Sequence, residues 1–243
     1  MSMDKYMFTS SVIIKVPQLL PYCDRIEKIE FWDESSKLAR LVEYMFKNAE
    51  STNPHMNRII VYTLSICIVK AIETKRGFIL LFNEGTLSPA FLLNRSIFEI
   101  WAAAYFVEKN VESFRSTRNA IQLANIADRL FAGAIYPAQL PWGESSTEKP
   151  VHISKMIKEL KQQYSEAKQT YSFLSEYCHP NFLYNEYANL ASFQHSVWDN
   201  PKFLESISTA LEKQLASLEQ SLIGIKASVR AITQMCCKEY GID

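Results

Sequence analysis

Arg95 and Glu99 stand four residues apart in Pro89–Lys109, a run that also holds Phe91, Leu92, Ile97, Phe98, Trp101 and Phe106. On a helix that spacing puts both charges on one face and within reach of each other. A helix apolar nearly all round belongs inside a bundle, so the face carrying the two charges should be covered. A covered charge is costly unless it is paired and hydrogen-bonded, and one ion pair leaves guanidinium donors over. A second segment offers partners. Tyr171, Ser175 and His179 are again four apart, and Pro180 stops the helix just after the imidazole. A helix C-terminus favours a protonated imidazole. Brought together, these residues would make a pocket in which Arg95, Glu99, Tyr171 and Ser175 bind a small anionic ligand. His179 would then be the catalytic acid/base. Eight aromatics in the 28 residues from Tyr171 to Trp198 would wall such a pocket. The plainer reading is a polar network that fixes helix register and performs no chemistry.

Other chemistries fare worse. Helical ribonucleases of the defence type use an Arg followed four to six residues later by His, and none of His55, His152, His179 and His195 follows an Arg that way. Glu176 and His179 make half of a di-iron Glu-x-x-His motif, with no second copy. No metal is expected. Ser175 lies near His179 but outside any Gly-x-Ser-x-Gly elbow. Neither phosphate-cradling glycine loop is present, so no cofactor is expected. Lys155, Lys158, Lys161 and Lys168 alternate with Glu159 and Glu166, as on a solvated helix face.

The elements that must position these residues are read as helices throughout, an all-α helical bundle with a long C-terminal helix. The pattern predicts helices near 18–31, 34–50, 54–84, 89–109, 111–132, 151–178, 184–195 and 201–239, with a bend near Gly77. Asn53-Pro54, Ser88-Pro89 and Asn200-Pro201 read as caps with proline in the first turn. Gly85, Gly133 and Gly241 read as stops. No alternating β-branched runs suggest strands. The loop 133–150 carries Tyr136, Leu140 and Trp142, apolar side chains suited to a folded flap. The organisation expected is a single helical domain over 1–243, with an N-terminal extension (1–50), a core bundle (54–195) and the long helix (201–239). On that helix Leu204, Ile207, Leu211, Leu215, Leu218, Leu222, Ile225, Val229 and Ile232 form one stripe. The stripe is either core or, in part, the seam of a homodimer through the C-terminal helix.

Composition narrows the function classes. The 26 Lys+Arg balance 26 Asp+Glu, so nucleic-acid binding is not supported by charge, nor is a membrane surface. The five cysteines have no metal or redox spacing and read as apolar fillers in a reducing cytoplasm. No signal peptide is visible. The most apolar runs, 59–69 and 90–107, are too short or too interrupted by Asn94, Arg95 and Glu99 to read as membrane spans.

GTLSPAFLLNRSIFEIWAAAYFVEKN, followed much later by YSFLSEYCHPN, resembles a large group of bacterial all-helical proteins with a domain of unknown function. The group carries Arg-x-x-x-Glu on one helix and Ser-x-x-x-His-Pro at the end of another. The resemblance covers roughly residues 55 to 185. It implies a helical bundle in which Arg95, Glu99, Ser175 and His179 converge, and a role in bacterial stress or phage defence. The expectation is a cytoplasmic binding or interaction module. The alternative is a metal-independent ribonuclease or hydrolase that uses His179.

Overall fold

A computed structural model describes residues 7–9, 11–131, 149–178 and 200–242. Among them the chain is all-α, with no strand. The helices are α1 (Ser11–Lys15), α2 (Leu20–Lys28, entered through a 3₁₀ turn at Pro17–Leu19), α3 (Trp32–Lys47), α4 (Pro54–Tyr62), α5 (Lys70–Asn83), α6 (Leu87–Thr117), α7 (Ala120–Phe131), α8 (Ile153–Leu160), α9 (Ala167–Glu176) and α10 (Pro201–Tyr240). A π-helical stretch, Thr63–Val69, joins α4 to α5.

Local chemistry explains most of the boundaries. The Asn53 side chain accepts from the backbone N–H groups of His55 and Met56 at 3.0 and 3.1 Å, capping α4. Asn200 does the same for α10 through Lys202 N–H at 3.0 Å. Gly85 (φ 71°) ends α5 with the paired bonds of a Schellman turn: Gly85 N–H to the Phe82 carbonyl and Thr86 N–H to the Leu81 carbonyl. Gly241 takes the same conformation after α10. Gly133 and the expected helix 184–195 lie outside the described residues, as does nearly all of the 133–150 loop.

Four boundaries differ from the sequence reading. Ser88 is not the cap of α6, which begins at Leu87. Pro89 then sits in the first turn, where its missing N–H has no intrahelical partner to lose. The expected break at Asn110 is absent, because its side-chain amide donates to the Phe106 carbonyl at 2.7 Å and the helix runs on. The chain turns instead at Arg118, a non-glycine residue at φ 55°, and Asn119 caps α7 through Gln122 N–H. The expected helix 151–178 is two helices, parted at Lys161–Glu166 with neither Gly nor Pro. There Tyr164 lays its ring 5.3 Å from that of Trp101, a tertiary contact that propensity does not register. Gly77 does not break α5; the irregular winding lies earlier, in the π stretch. Glycine at 77 answers a close approach instead, since a Cβ there would meet Leu93 Cδ1 at 2.9 Å.

The chain's contacts group it into two compact units. The first comprises Met1–Glu30, Ala71–Glu99 and Glu166–Gly224. Its core includes Leu19, Ile26, Phe78, Phe82, Phe91, Phe98, Leu174 and the α10 residues Leu211, Leu215, Leu218 and Leu222, all buried. The second comprises Phe31–Lys70, Ile100–Ser165 and Ile225–Asp243. Its core includes Leu38, Leu41, Met56, Ile59, Trp101, Phe106, Leu160, Ile225, Val229 and Ile232. Arg58 on α4 pairs with Asp128 on α7, and Cys236 Sγ lies 3.6 Å from Met56 Sδ. The α10 stripe from Ile207 to Ile232 is buried in the chain's own core.

Two helices are longer than the apolar runs visible in sequence. Pro54–Asn83 (30 residues) and Leu87–Thr117 (31 residues), whose most apolar 18-residue windows have mean hydropathies of 1.3 and 1.2, are long and apolar enough to cross a membrane by length and composition. Protein covers 72% of the apolar window in Leu87–Thr117 and 39% of that in Pro54–Asn83.

Candidate functional site

In the first unit α6 and α9 bring Arg95, Glu99 and Tyr171 together. The Arg95 guanidinium donates through Nε to Glu99 Oε1 at 3.0 Å and through Nη2 to the Tyr171 hydroxyl at 2.9 Å. That hydroxyl donates in turn to Glu99 Oε1 at 3.1 Å. The three side chains close a triangle in which the phenol accepts from the cation and donates to the anion. Tyr171 is held by its ring, which stacks on Phe98 at 6.3 Å and lies 5.2 Å from the guanidinium carbon. Arg95 is thus fixed on two edges and one face.

The charges are less covered than the sequence suggested. The Arg95 and Glu99 side chains keep 33% and 34% of their surface exposed, and Leu92 on the same stripe is exposed as well. Farther along, Ala102 and Phe106 are buried. The stripe is half-wet at the site and dry only beyond it. Burial works against the Arg95 cation, but the Tyr171 phenol and the Glu99 carboxylate outweigh it and hold the guanidinium above its ordinary pKa.

The other expected members fare differently. Ser175 donates its hydroxyl to the Tyr171 carbonyl one turn back, at 2.7 Å, so its proton serves the α9 backbone rather than the triangle. His179 lies outside the described residues. Cys178, one of the five cysteines read as apolar fillers, stands at the C-terminal side of α9 and donates to the Leu174 carbonyl at 3.1 Å. Burial pushes its thiol up from the ordinary value, and Arg95 beside it draws it only partway back. Burial thus disfavours its thiolate.

Two further polar clusters escaped the sequence reading. Asn94 (0% exposed) donates through Nδ2 to both the backbone carbonyl and the side-chain Oε1 of Gln214 on α10, at 2.8 and 2.6 Å. An Asn inside an apolar helix was its only sequence signal. In the second unit Glu34 is buried in the first turn of α3, where the helix dipole favours an anion. Arg230 meets it at 2.8 Å and Lys226 at 3.7 Å. His152, given no partner from sequence, caps α8 by accepting from Ser154 N–H at 3.2 Å. Among the described residues no three His, Cys, Asp or Glu side chains are placed to hold a metal ion.

No protein-family model, curated protein or solved structure matches this chain, so the reading of the site rests on its own geometry.

Proposed function

We propose that this chain is a cytoplasmic helical binding module in which the Arg95–Glu99–Tyr171 triangle receives a small anionic group such as a carboxylate or phosphate. The observation that carries this reading is a guanidinium oriented by two hydrogen bonds while a third of the side chain still faces solvent. A cation kept for structure alone gains most when its fork is wholly used inside the protein. Here Glu99 and Tyr171 use Nε and Nη2 and the Cys178 thiol is a third neighbour, and a planar fork with five donors is suited to one more oxygen acceptor. Glu99 partly neutralises the site, so affinity for a lone anion is modest, on the order of millimolar, or about 4 kcal/mol.

The test compares wild type with Arg95→Lys and Arg95→Ala by calorimetric titration with inorganic phosphate and acetate. The proposal requires binding by wild type and its loss in folded Arg95→Ala. Equal heats in both, or collapse of the helical signal in Arg95→Ala together with no binding by Arg95→Lys or wild type, leave a network that only holds α6 against α9.

A further inference from the structure

Taking the Arg95–Glu99–Tyr171 triangle as the anion site proposed above, we infer that its ligand is the carboxylate of a small apolar acid, with the apolar body lying over Leu92, rather than a phosphate. Two features of the site carry this: which donors remain around Arg95, and what stands on either side of it.

Few donors are left for an incoming anion. The Tyr171 hydroxyl donates to Glu99 Oε1 at 3.1 Å, the Ser175 hydroxyl to the Tyr171 carbonyl at 2.7 Å, and the Cys178 thiol to the Leu174 carbonyl at 3.1 Å. Each of these groups has one proton to give and has given it. Of the four side chains, only Arg95 keeps N–H groups for a ligand. A phosphate dianion carries more oxygens than one fork can satisfy, and its second charge meets no second cation. Glu99 weighs further against it, because it already neutralises Arg95 from 3.0 Å and repels an incoming anion in proportion to that anion's charge. A carboxylate brings one charge and two oxygens, the shape to which a planar guanidinium is matched.

The two sides of Arg95 differ in character. One turn toward the C-terminal end of α6 stands Glu99. One turn toward the N-terminal end, on the same face, stands Leu92, with 46% of its surface exposed. The Cys178 thiol beside Arg95 adds a soft surface to the site, since burial disfavours its ionised form. The end of α9 is already fixed: Tyr177 is buried, and its ring meets Phe91 edge-on at 5.3 Å and Phe173 at 4.9 Å. A lone exposed leucine is ordinary on a protein surface. One set a helical turn from an oriented, half-exposed guanidinium gives a ligand a charged end and an apolar end. A branched acid of about six carbons covers that span.

The experiment titrates the full-length chain calorimetrically at pH 8 and constant ionic strength with acetate, 4-methylpentanoate, 4-methylpentanamide and inorganic phosphate. The branched acid should bind about tenfold more tightly than acetate, the gain from four added carbons half removed from water. Phosphate, mostly dianionic at this pH, should bind no more tightly than acetate. The amide keeps the body without the charge and should bind at least tenfold more weakly than its acid. In Leu92→Ser the ratio between the two acids should fall from about ten to about one. Equal affinity for the two acids, phosphate tighter than acetate, or an unchanged ratio in Leu92→Ser overturns the inference while leaving an anion site at Arg95. An amide that binds as tightly as its acid overturns it too, because the body would then bind without help from the guanidinium. Failure of wild type to bind acetate, phosphate and the branched acid alike removes the anion site itself, and the ligand class with it. Should Leu92→Ser lose its helical circular dichroism, the three wild-type comparisons decide alone.

Discussion

Replacing Lys75 with methionine tests whether the tie between α2 and α5, in which its Nζ donates to the Ile29 and Glu27 carbonyls at 2.8 and 3.3 Å, carries a real electrostatic cost. Burial lowers the Lys75 ammonium from 10.5 to about 8, against the opposing pull of the Glu30 and Glu27 charges. The folded state therefore releases the proton more readily than the unfolded one. Between pH 8 and 10.5 the unfolded chain holds more protons, so this group makes the protein more stable as pH rises through that window and adds no change below it. A fall of that size corresponds to a ceiling of about 3 kcal/mol, and residual solvent around Nζ brings the expected gain to about 2 kcal/mol. Lys75→Met removes the buried charge and also two hydrogen bonds to carbonyls, each worth about 1 kcal/mol. Near pH 7 the two losses largely cancel and the variant should lie within about 1 kcal/mol of wild type. By pH 10.5 wild type should be ahead by about 2 kcal/mol. Urea unfolding followed by circular dichroism at pH 7, 8, 9 and 10 measures both chains, and the difference between them removes every other titrating group. A difference that stays flat within about 0.5 kcal/mol across the series would refute the argument, because Lys75 would then titrate as a solvated amine.

Asn53→Ala should lower stability by about 1 kcal/mol with an unchanged denaturant slope, since it strips one acceptor from two N–H groups at the start of α4; no loss would mean that water caps the helix equally well. Gly77→Ala should fall within about 0.5 kcal/mol of wild type, because the gain in helix propensity offsets a contact that the end of Leu93 can relieve by swinging aside. Gly77→Ile should cost about 1–3 kcal/mol, and the reverse order would contradict the close approach. Tyr171→Phe keeps the ring on Phe98 but removes two bonds to charged groups in a half-wet site, so a loss of about 1 kcal/mol is expected. A double-mutant cycle with Arg95→Ala should return a coupling of about 0.5–1 kcal/mol; zero coupling would dissolve the triangle.

What sequence patterning could reveal depended on the range over which each interaction acts. The Asn53 and Asn200 caps and the stops at Gly85 and Gly241 were legible because their chemistry is complete within a few residues. The α10 stripe was legible because nine apolar residues repeat at helical spacing and must be covered by something. Arg95, Glu99 and Tyr171 were singled out for the same reason, two charges and a phenol on apolar faces, and the pair from α6 does meet the phenol from α9. Their partial exposure was not legible, since burial at Leu92 depends on which neighbours arrive across the fold. The turn at Arg118 and the break at Lys161–Glu166 carry no breaker residue and follow from contacts distant in sequence. The bond from the Ser175 hydroxyl back to the Tyr171 carbonyl was not legible, because spacing alone does not say whether a hydroxyl turns outward or back to its own helix. The grip of Asn83 and Glu27 on the backbone of Met7–Thr9 left no trace in any pattern, as it reads main-chain atoms that every residue owns.

The interleaving of the two units has a consequence for biosynthesis. Each unit is assembled from three separated stretches, and the last of them includes part of α10 in both cases. Multidomain chains ordinarily fold their early portions while later ones are still being translated, at about 5–20 residues per second. Here the first hydrophobic centre cannot close before the ribosome has made Leu222, nor the second before Ile232. Until then rings such as Phe78, Phe98 and Trp101 lack part of their cover, and the nascent polypeptide should be a customer of holdase chaperones for most of its synthesis. A premature stop anywhere early in α10 would accordingly spoil both halves of the product at once, leaving no intact half for the cell to keep.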